Sequence, residues 1–244
     1  MKSQRLPWHP SEQLRRGLTT RGNFVFQILI SYFKMNTVII NYGAGNIKSI
    51  QFAFKRLGVE AVLTDNPEII YNADRVIFPG VGEAGSAMKK LKESGLDIVI
   101  PTLKQPVLGI CLGMQLMCNH SEEGNTDGLG IFDVNIKKFS DAVKVPQMGW
   151  NSIYNLKSEL FEDLKENEYM YLVHSYYADL NDCAIATTNY ETEYATALQK
   201  ANFYGVQFHP EKSSVAGERL LKNFLNIANP HTPNDRSQPI ANSQ

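Results

Sequence analysis

Cysteine is scarce: Cys111, Cys118 and Cys183 are the three in 244 residues. An odd number without paired spacing argues against a disulfide framework and for a reducing compartment, the cytoplasm. No pair of cysteines or histidines stands at zinc-ligand spacing, which speaks against a structural zinc. A surplus of either charge is also missing. The 24 Lys and Arg against 25 Asp and Glu leave a net charge of −1, which gives no support for nucleic acid as an obligate partner. The apolar run Phe24 to Phe33 is too short to span a bilayer, and it lacks the small-residue cleavage site of a secretory signal. What is present, 43% hydrophobic and 20% charged residues, suits one globular domain long enough to bury a full core.

Three stretches divide the chain. Residues 1–34 scatter Arg5, Arg15, Arg16 and Arg21 among polar residues, and Met35 stands directly before the strand Thr37-Val38-Ile39-Ile40. The expectation is that Met35 is the natural start and 1–34 an upstream extension, which mass spectrometry of the native protein would test. Residues 35–228 carry the periodic patterns. From Asn229 on, Pro, Asn, Ser and Gln dominate, and that tail is expected to be disordered.

From Met35 strands and helices alternate. Strand 37–41 leads through Tyr42-Gly43-Ala44-Gly45 into a helix over 46–57, closed by Gly58, and strand 60–64 follows. Strand 75–78 ends in Pro79-Gly80-Val81-Gly82. Helices over 85–93 and 96–104 precede strand 107–110, and Leu112 to His120 reads as a further helix. Short links between strand and helix predict a parallel sheet covered on both faces, with ligands bound beyond the carboxyl ends of its strands. After Gly124 the segments 131–138, 150–154, 169–174, 184–188, 194–199 and 203–208 are rich in Val, Ile, Tyr and Phe. They read as antiparallel strands added to that core, before a last helix over 215–227. The fold class is therefore α/β.

Gly109-Ile110-Cys111-Leu112-Gly113 lies at one of those carboxyl ends. A nucleophile between glycines at a strand-to-helix junction is the pattern of the nucleophile elbow. The glycines let neighbouring backbone approach, and the helix start favours a thiolate. A buried structural cysteine with two incidental glycines fits the same five residues, so partners decide. A cysteine nucleophile needs a base, and that base an orienting acceptor. His9 and His231 fall in the outer stretches, and His120 lies too far along the elbow helix. His174 and His209 end aromatic-rich strands. His209 is followed by Pro210-Glu211, and residues i and i+2 of an extended segment project to the same side.

The elbow together with Phe208-His209-Pro210-Glu211 resembles the class I (triad) glutamine amidotransferases, three-layer α/β proteins with a flavodoxin-like sheet. Further stretches narrow the resemblance to the glutaminase subunits of imidazole glycerol phosphate synthases. They are Asn41-Tyr42-Gly43-Ala44-Gly45-Asn46, Pro79 to Gly82, Pro146-Gln147-Met148-Gly149-Trp150-Asn151, Val173-His174-Ser175-Tyr176, and Gly205 to Ser213. The match runs from Met35 to about Ile227. It implies a Cys111–His209–Glu211 triad that hydrolyses glutamine to glutamate and ammonia, with neither cofactor nor metal. The oxyanion would be held by the backbone N–H groups of Val81 and Leu112. Gly80, Gln115, Glu123, His174, Ser175 and Tyr176 would bind the substrate. Asn46, Gln147, Met148, Trp150, Asn151 and Lys212 would face a partner, the (β/α)8 cyclase subunit, in a heterodimer that passes ammonia across the interface. Read alone, Glu123 is also a solvated loop acid, His174 a packed strand-end histidine and Trp150 a core residue. Asn41 stands where this family commonly has aspartate, and Glu83 where a small residue is usual. Other readings of the chain are a sugar-aminating relative with the same chemistry, a non-catalytic binding module and a cysteine peptidase.

Overall fold

The structure, a computed structural model, describes residues 36–43 and 45–229. The readings of 1–34 as an extension and of the tail beyond Asn229 lie outside the described residues, as does Ala44. The first half lays down β1 (Thr37–Ile40), α1 (Ile47–Arg56), β2 (Val62–Thr64), α2 (Pro67–Tyr71), β3 (Arg75–Gly80), α3 (Ala84–Glu93), α4 (Leu96–Val99), β4 (Val107–Cys111) and α5 (Leu112–Leu116). The second half adds β5 (His120–Ser121), β6 (Thr126–Asp127), β7 (Asn135–Lys138), β8 (Gln147–Ile153), β9 (Glu168–His174), β10 (Tyr176–Ala178), β11 (Ala184–Asn189), β12 (Glu193–Lys200), β13 (Phe203–Val206) and α6 (Ser214–Asn226).

The main sheet runs β2-β1-β3-β4-β13-β12-β10-β7-β5-β6, with β11 beside β12. Strands β2, β1, β3, β4 and β13 are parallel. Every residue of β1, β3 and β4 is buried, as expected of near-continuous Val/Ile/Leu runs covered on both faces. Arg75 is buried at the start of β3 and donates to the carbonyls of Phe224, Leu225 and Ile227, which ties the end of α6 to the sheet. Among the described residues no helix is long and apolar enough to cross a membrane.

Four sequence expectations change. Strand 203–208 is not an antiparallel addition: β13 lies parallel to β4, Val206 opposite Ile110, and turns antiparallel only toward β12. Strands β8 and β9 form their own two-stranded sheet. The helix expected over 112–120 stops at Leu116, because returning chain takes its carbonyls. Leu129 N donates to Leu116 O, Ile131 N to Met117 O and Gly130 N to Cys118 O. His120 therefore sits in β5, not on the elbow helix. The short helix α2 escaped notice, although Pro67 at its first position and the Asn66 side chain, which accepts from Glu68 N, are start signals.

Candidate active site

Register brings three strand ends together. Gly80 of β3 pairs with Cys111 of β4, and Gln207 follows Val206 of β13 on the other side of β4. Cys111 holds φ 53° and ψ −112°, a conformation that non-glycine residues rarely adopt. The neighbouring chain keeps it there. A Cβ at Gly113 would lie 2.0 Å from the Phe78 carbonyl oxygen, and one at Gly109 would lie 2.9 Å from Met114 N. Glycine at both positions is thus a matter of space, and the elbow packs tightly between β3 and α5.

His209 reaches the sulfur from the segment after β13. Its Nδ1 is 2.9 Å from Glu211 Oε1, and the two side chains are 3% and 1% exposed. Burial by itself lowers the proton affinity of the ring. The Cys111 sulfur and the Glu211 carboxylate outweigh it and hold His209 up at about 10. Nε2 is buried and completes no hydrogen bond, so it is the ring position open to proton exchange with the sulfur side. The backbone around the ring is clamped to β9. His209 N donates to Tyr171 O at 2.9 Å, Ser213 Oγ donates to His209 O at 2.7 Å, and Tyr171 N donates to Ser213 Oγ at 2.9 Å.

The loop at Gly80 and Val81 packs on the start of α5. A Cβ on Gly80 would come within 2.6 Å of Gly113 N. The Tyr42 hydroxyl donates to Pro79 O at 2.8 Å and fixes the loop from β1, while Gly82 takes φ +104°. This arrangement sets the end of β3, just before Val81, against Leu112 and Gly113 at the start of α5.

The remaining expected residues divide. Gln115 is buried, and its Nε2 donates to Tyr176 O at 2.9 Å and to Gln207 Oε1 at 2.8 Å. Glu123 accepts from Ala84 N at 2.9 Å through Oε2. Burial raises its proton affinity, the Ala84 N–H opposes that, and nearby Glu83 adds to it. His174 is buried, with Nδ1 2.7 Å from Tyr176 O and Nε2 3.1 Å from the Tyr194 hydroxyl. Burial is the main reason it is pushed down to about 4, assisted by His209 and opposed by the Tyr176 carbonyl. It is therefore a neutral ring at pH 7. Ser175 and Tyr176 follow it, and Ser175 O accepts from Phe139 N.

On the outer face Met148 and Trp150 are 63% and 52% exposed, so Trp150 is not a core residue. Trp150 meets the Tyr171 ring edge-on at 6.1 Å, and Lys212 Nζ lies 5.8 Å from the centroid of the same ring. Asn46 is exposed before α1, and Asn151 Nδ2 donates to Asn189 O. Gln147 differs from its neighbours. Strand alternation turns it inward, opposite to Met148, and its buried side chain accepts from the Tyr194 hydroxyl at 2.9 Å. Sequence reasoning assigned no role to Gln207, Ser213, Tyr194 or Tyr42. For Gln207 a signal existed, since it stands two residues before His209 and so faces the same way.

Taken together, an elbow cysteine, a histidine open at Nε2 and a carboxylate on its Nδ1 form, on an α/β sheet, an arrangement that suits nucleophilic attack by sulfur. The chain belongs to the glutamine amidotransferase class-I family, whose model matches residues 38–228. It is similar to the imidazole glycerol phosphate synthase subunit HisH of Bacteroides fragilis (strain YCH46), with 56% identity over 196 residues, 79% of this chain and 100% of that protein. The HisH subunit of Escherichia coli (strain K12) is 45% identical over the same shares. A crystal structure of a glutamine amidotransferase superposes with a TM-score of 0.63 at 18% identity, over 78% of this chain and 98% of that one, a likeness of fold.

Proposed function

We propose that this chain is the glutaminase subunit of an imidazole glycerol phosphate synthase, working in the cytoplasm as a heterodimer with a (β/α)8 cyclase subunit. Residues 35–228 are its amidotransferase domain. The observation that carries the reading is the strained Cys111 beside the buried His209–Glu211 pair. Cys111 Sγ attacks the carboxamide carbon of glutamine, and the carbonyl π pair moves onto oxygen. The N–H groups of Val81 and Leu112 receive that oxyanion; one such donor is worth roughly 3–4 kcal/mol. When the intermediate collapses, the C–N bond breaks and His209 Nε2 gives its proton to the leaving nitrogen. Ammonia departs, and the glutamyl group remains on sulfur as a thioester. Water, deprotonated at the same Nε2, then attacks the thioester and frees glutamate and the thiolate. Glu211 keeps the ring in place through both halves.

Ammonia crosses to the cyclase without entering bulk water, where protonation would end its use as a nucleophile. The cyclase uses it to form imidazole glycerol phosphate in histidine biosynthesis. The exposed Met148, Trp150 and Lys212 surface supports that contact, because Met and aromatic residues are enriched in interface cores. The test is glutamate release by the purified chain. Strong release is expected only with the cyclase and its nucleotide ligand present, and Cys111→Ala should abolish it. Persistent release by that variant overturns the mechanism.

A further inference from the structure

We propose that the Gln207 side chain is a donor that holds the Cys111 sulfur in place and stabilises it as the thiolate. This inference rests on the reading of Cys111 as the nucleophile, and it adds a side-chain contact to the backbone donors already described. Gln207 is fully buried, and its Nε2 lies 3.7 Å from Cys111 Sγ, within the reach of an N–H to the larger sulfur atom.

An amide can be turned end for end, so the direction of this contact has to be argued. Tyr176 O is a backbone carbonyl and can only accept. The Gln115 atom 2.9 Å from it is therefore the NH2 nitrogen. That same nitrogen stands 2.8 Å from the Gln207 side chain, so the Gln207 atom it meets must be the oxygen. The other end of Gln207, the one facing the sulfur, is then its NH2 group. The assignment passes from an unambiguous carbonyl through two amides to Cys111. The backbone is held as well: Gln207 N donates to Thr196 O at 2.9 Å. Gln115 is, on this account, a positioning residue for Gln207.

The sulfur also lies 3.9 Å from Val173 O. As a thiol, Cys111 donates its proton toward that carbonyl. Once ionised it has no proton to offer, and the carbonyl repels it. The N–H from Gln207 then strengthens, since bonds to charged groups are the stronger ones. Other titratable groups around the sulfur are His209, with Glu211 behind it, His174 beyond His209, and Tyr42. All of them are common to wild type and to Gln207→Leu, so that comparison isolates the amide.

The experiment is the rate of Cys111 alkylation by iodoacetamide across pH, in the full-length chain. Gln207→Leu removes the donor. Gln207→Glu keeps the size and the acceptor for Gln115 but brings no N–H and adds a carboxylate. Gln207→Leu should move the profile up by about one pH unit and slow alkylation about tenfold below the profile's midpoint, and Gln207→Glu should move it further in the same direction. With the partner present, glutamine hydrolysis should lose kcat while KM stays. A folded variant that alkylates with the wild-type profile overturns the proposal. Should either variant fail to fold, wild type supplies the readout. The side-chain amide protons of Gln207 must shift by NMR through the midpoint of the alkylation profile, and a flat response overturns the proposal. If Gln207 controls alkylation as stated but wild type releases no glutamate with the partner, the functional reading fails and this contact stands.

Discussion

Gly80→Ala should leave a reactive cysteine that turns over poorly. The added Cβ would lie 2.6 Å from Gly113 N, 2.7 Å from Leu112 Cβ and 2.9 Å from Leu112 C. Two of these atoms are backbone, and none is the tip of a flexible side chain. Reaching an ordinary contact of 3.4 Å from 2.6 Å requires β3 and the start of α5 to part by 0.8 Å. Overpacking of this kind costs about 1–3 kcal/mol of stability. The separation falls between Val81 and Leu112, the two proposed oxyanion donors. A hydrogen bond near 2.9 Å that is stretched this far leaves its useful range. Losing one donor lowers kcat by on the order of 10²–10³. Alkylation by iodoacetamide forms no oxyanion, so it should proceed at close to the wild-type rate. The assay is partner-stimulated glutamate release, with alkylation and a thermal melt on the same preparation. A folded variant whose kcat stays within about threefold of wild type refutes the reasoning.

Two pH effects of opposite sign follow from the histidines. His209 is held up at about 10 against an unfolded value near 6.5, so its contribution is complete below pH 6.5 and is lost as pH rises through 10. Glu211→Gln should flatten that alkaline loss in denaturant unfolding at pH 6, 8 and 10.5; an unchanged slope counts against the pair. His174 is pushed down to about 4, so its contribution is present above pH 6.5 and lost as pH falls toward 4, about 3 kcal/mol in all. His174→Phe should remove that acid slope, as read by urea midpoints at pH 7 and 4.5. Arg75→Met takes one donor from each of the carbonyls of Asp74, Phe224, Leu225 and Ile227 and should cost about 3 kcal/mol, or roughly 10 °C in Tm. Trp150→Ala should weaken partner binding about 30-fold by calorimetry, with alkylation of the isolated chain unchanged.

The alternation of β1, α1, β3, α3 and β4 was legible because each strand is a short Val/Ile/Leu run and each link carries glycine. The proposed triad was legible for a local reason, two motifs whose spacing along an extended segment sets which groups face one way. Pairing across the sheet was not. Nothing in Phe203–Val206 distinguishes a strand parallel to β4 from an antiparallel addition, yet that register sets Gln207 beside Cys111. The end of α5 was hidden for a similar reason. Leu112 to His120 keeps a helical pattern, and only the return of 129–132 onto the carbonyls of Leu116 to Cys118 stops it. The inward turn of Gln147 was hidden because its motif holds both faces of a strand, and a motif alone does not say which residues point out.

Glu83 shows how a departure from a family pattern acquires a physical account. It stands at the N-cap of α3, where its Oε1 accepts from Gly85 N and its Oε2 from Ser86 N. A small hydroxyl residue at that position has one acceptor oxygen to offer, whereas a carboxylate offers two. Glu123 completes the set by accepting from Ala84 N. Two carboxylates thus meet at one helix start, and their mutual repulsion is part of what raises the proton affinity of Glu123. The partial positive charge of the helix terminus offsets that repulsion. The consequence reaches the site, because Gly82 adjoins Glu83 and closes the loop that begins at Pro79. Capping at Glu83 fixes one end of that loop, and the Tyr42 hydroxyl on Pro79 O fixes the other. Val81, the proposed oxyanion donor, lies between the two anchors.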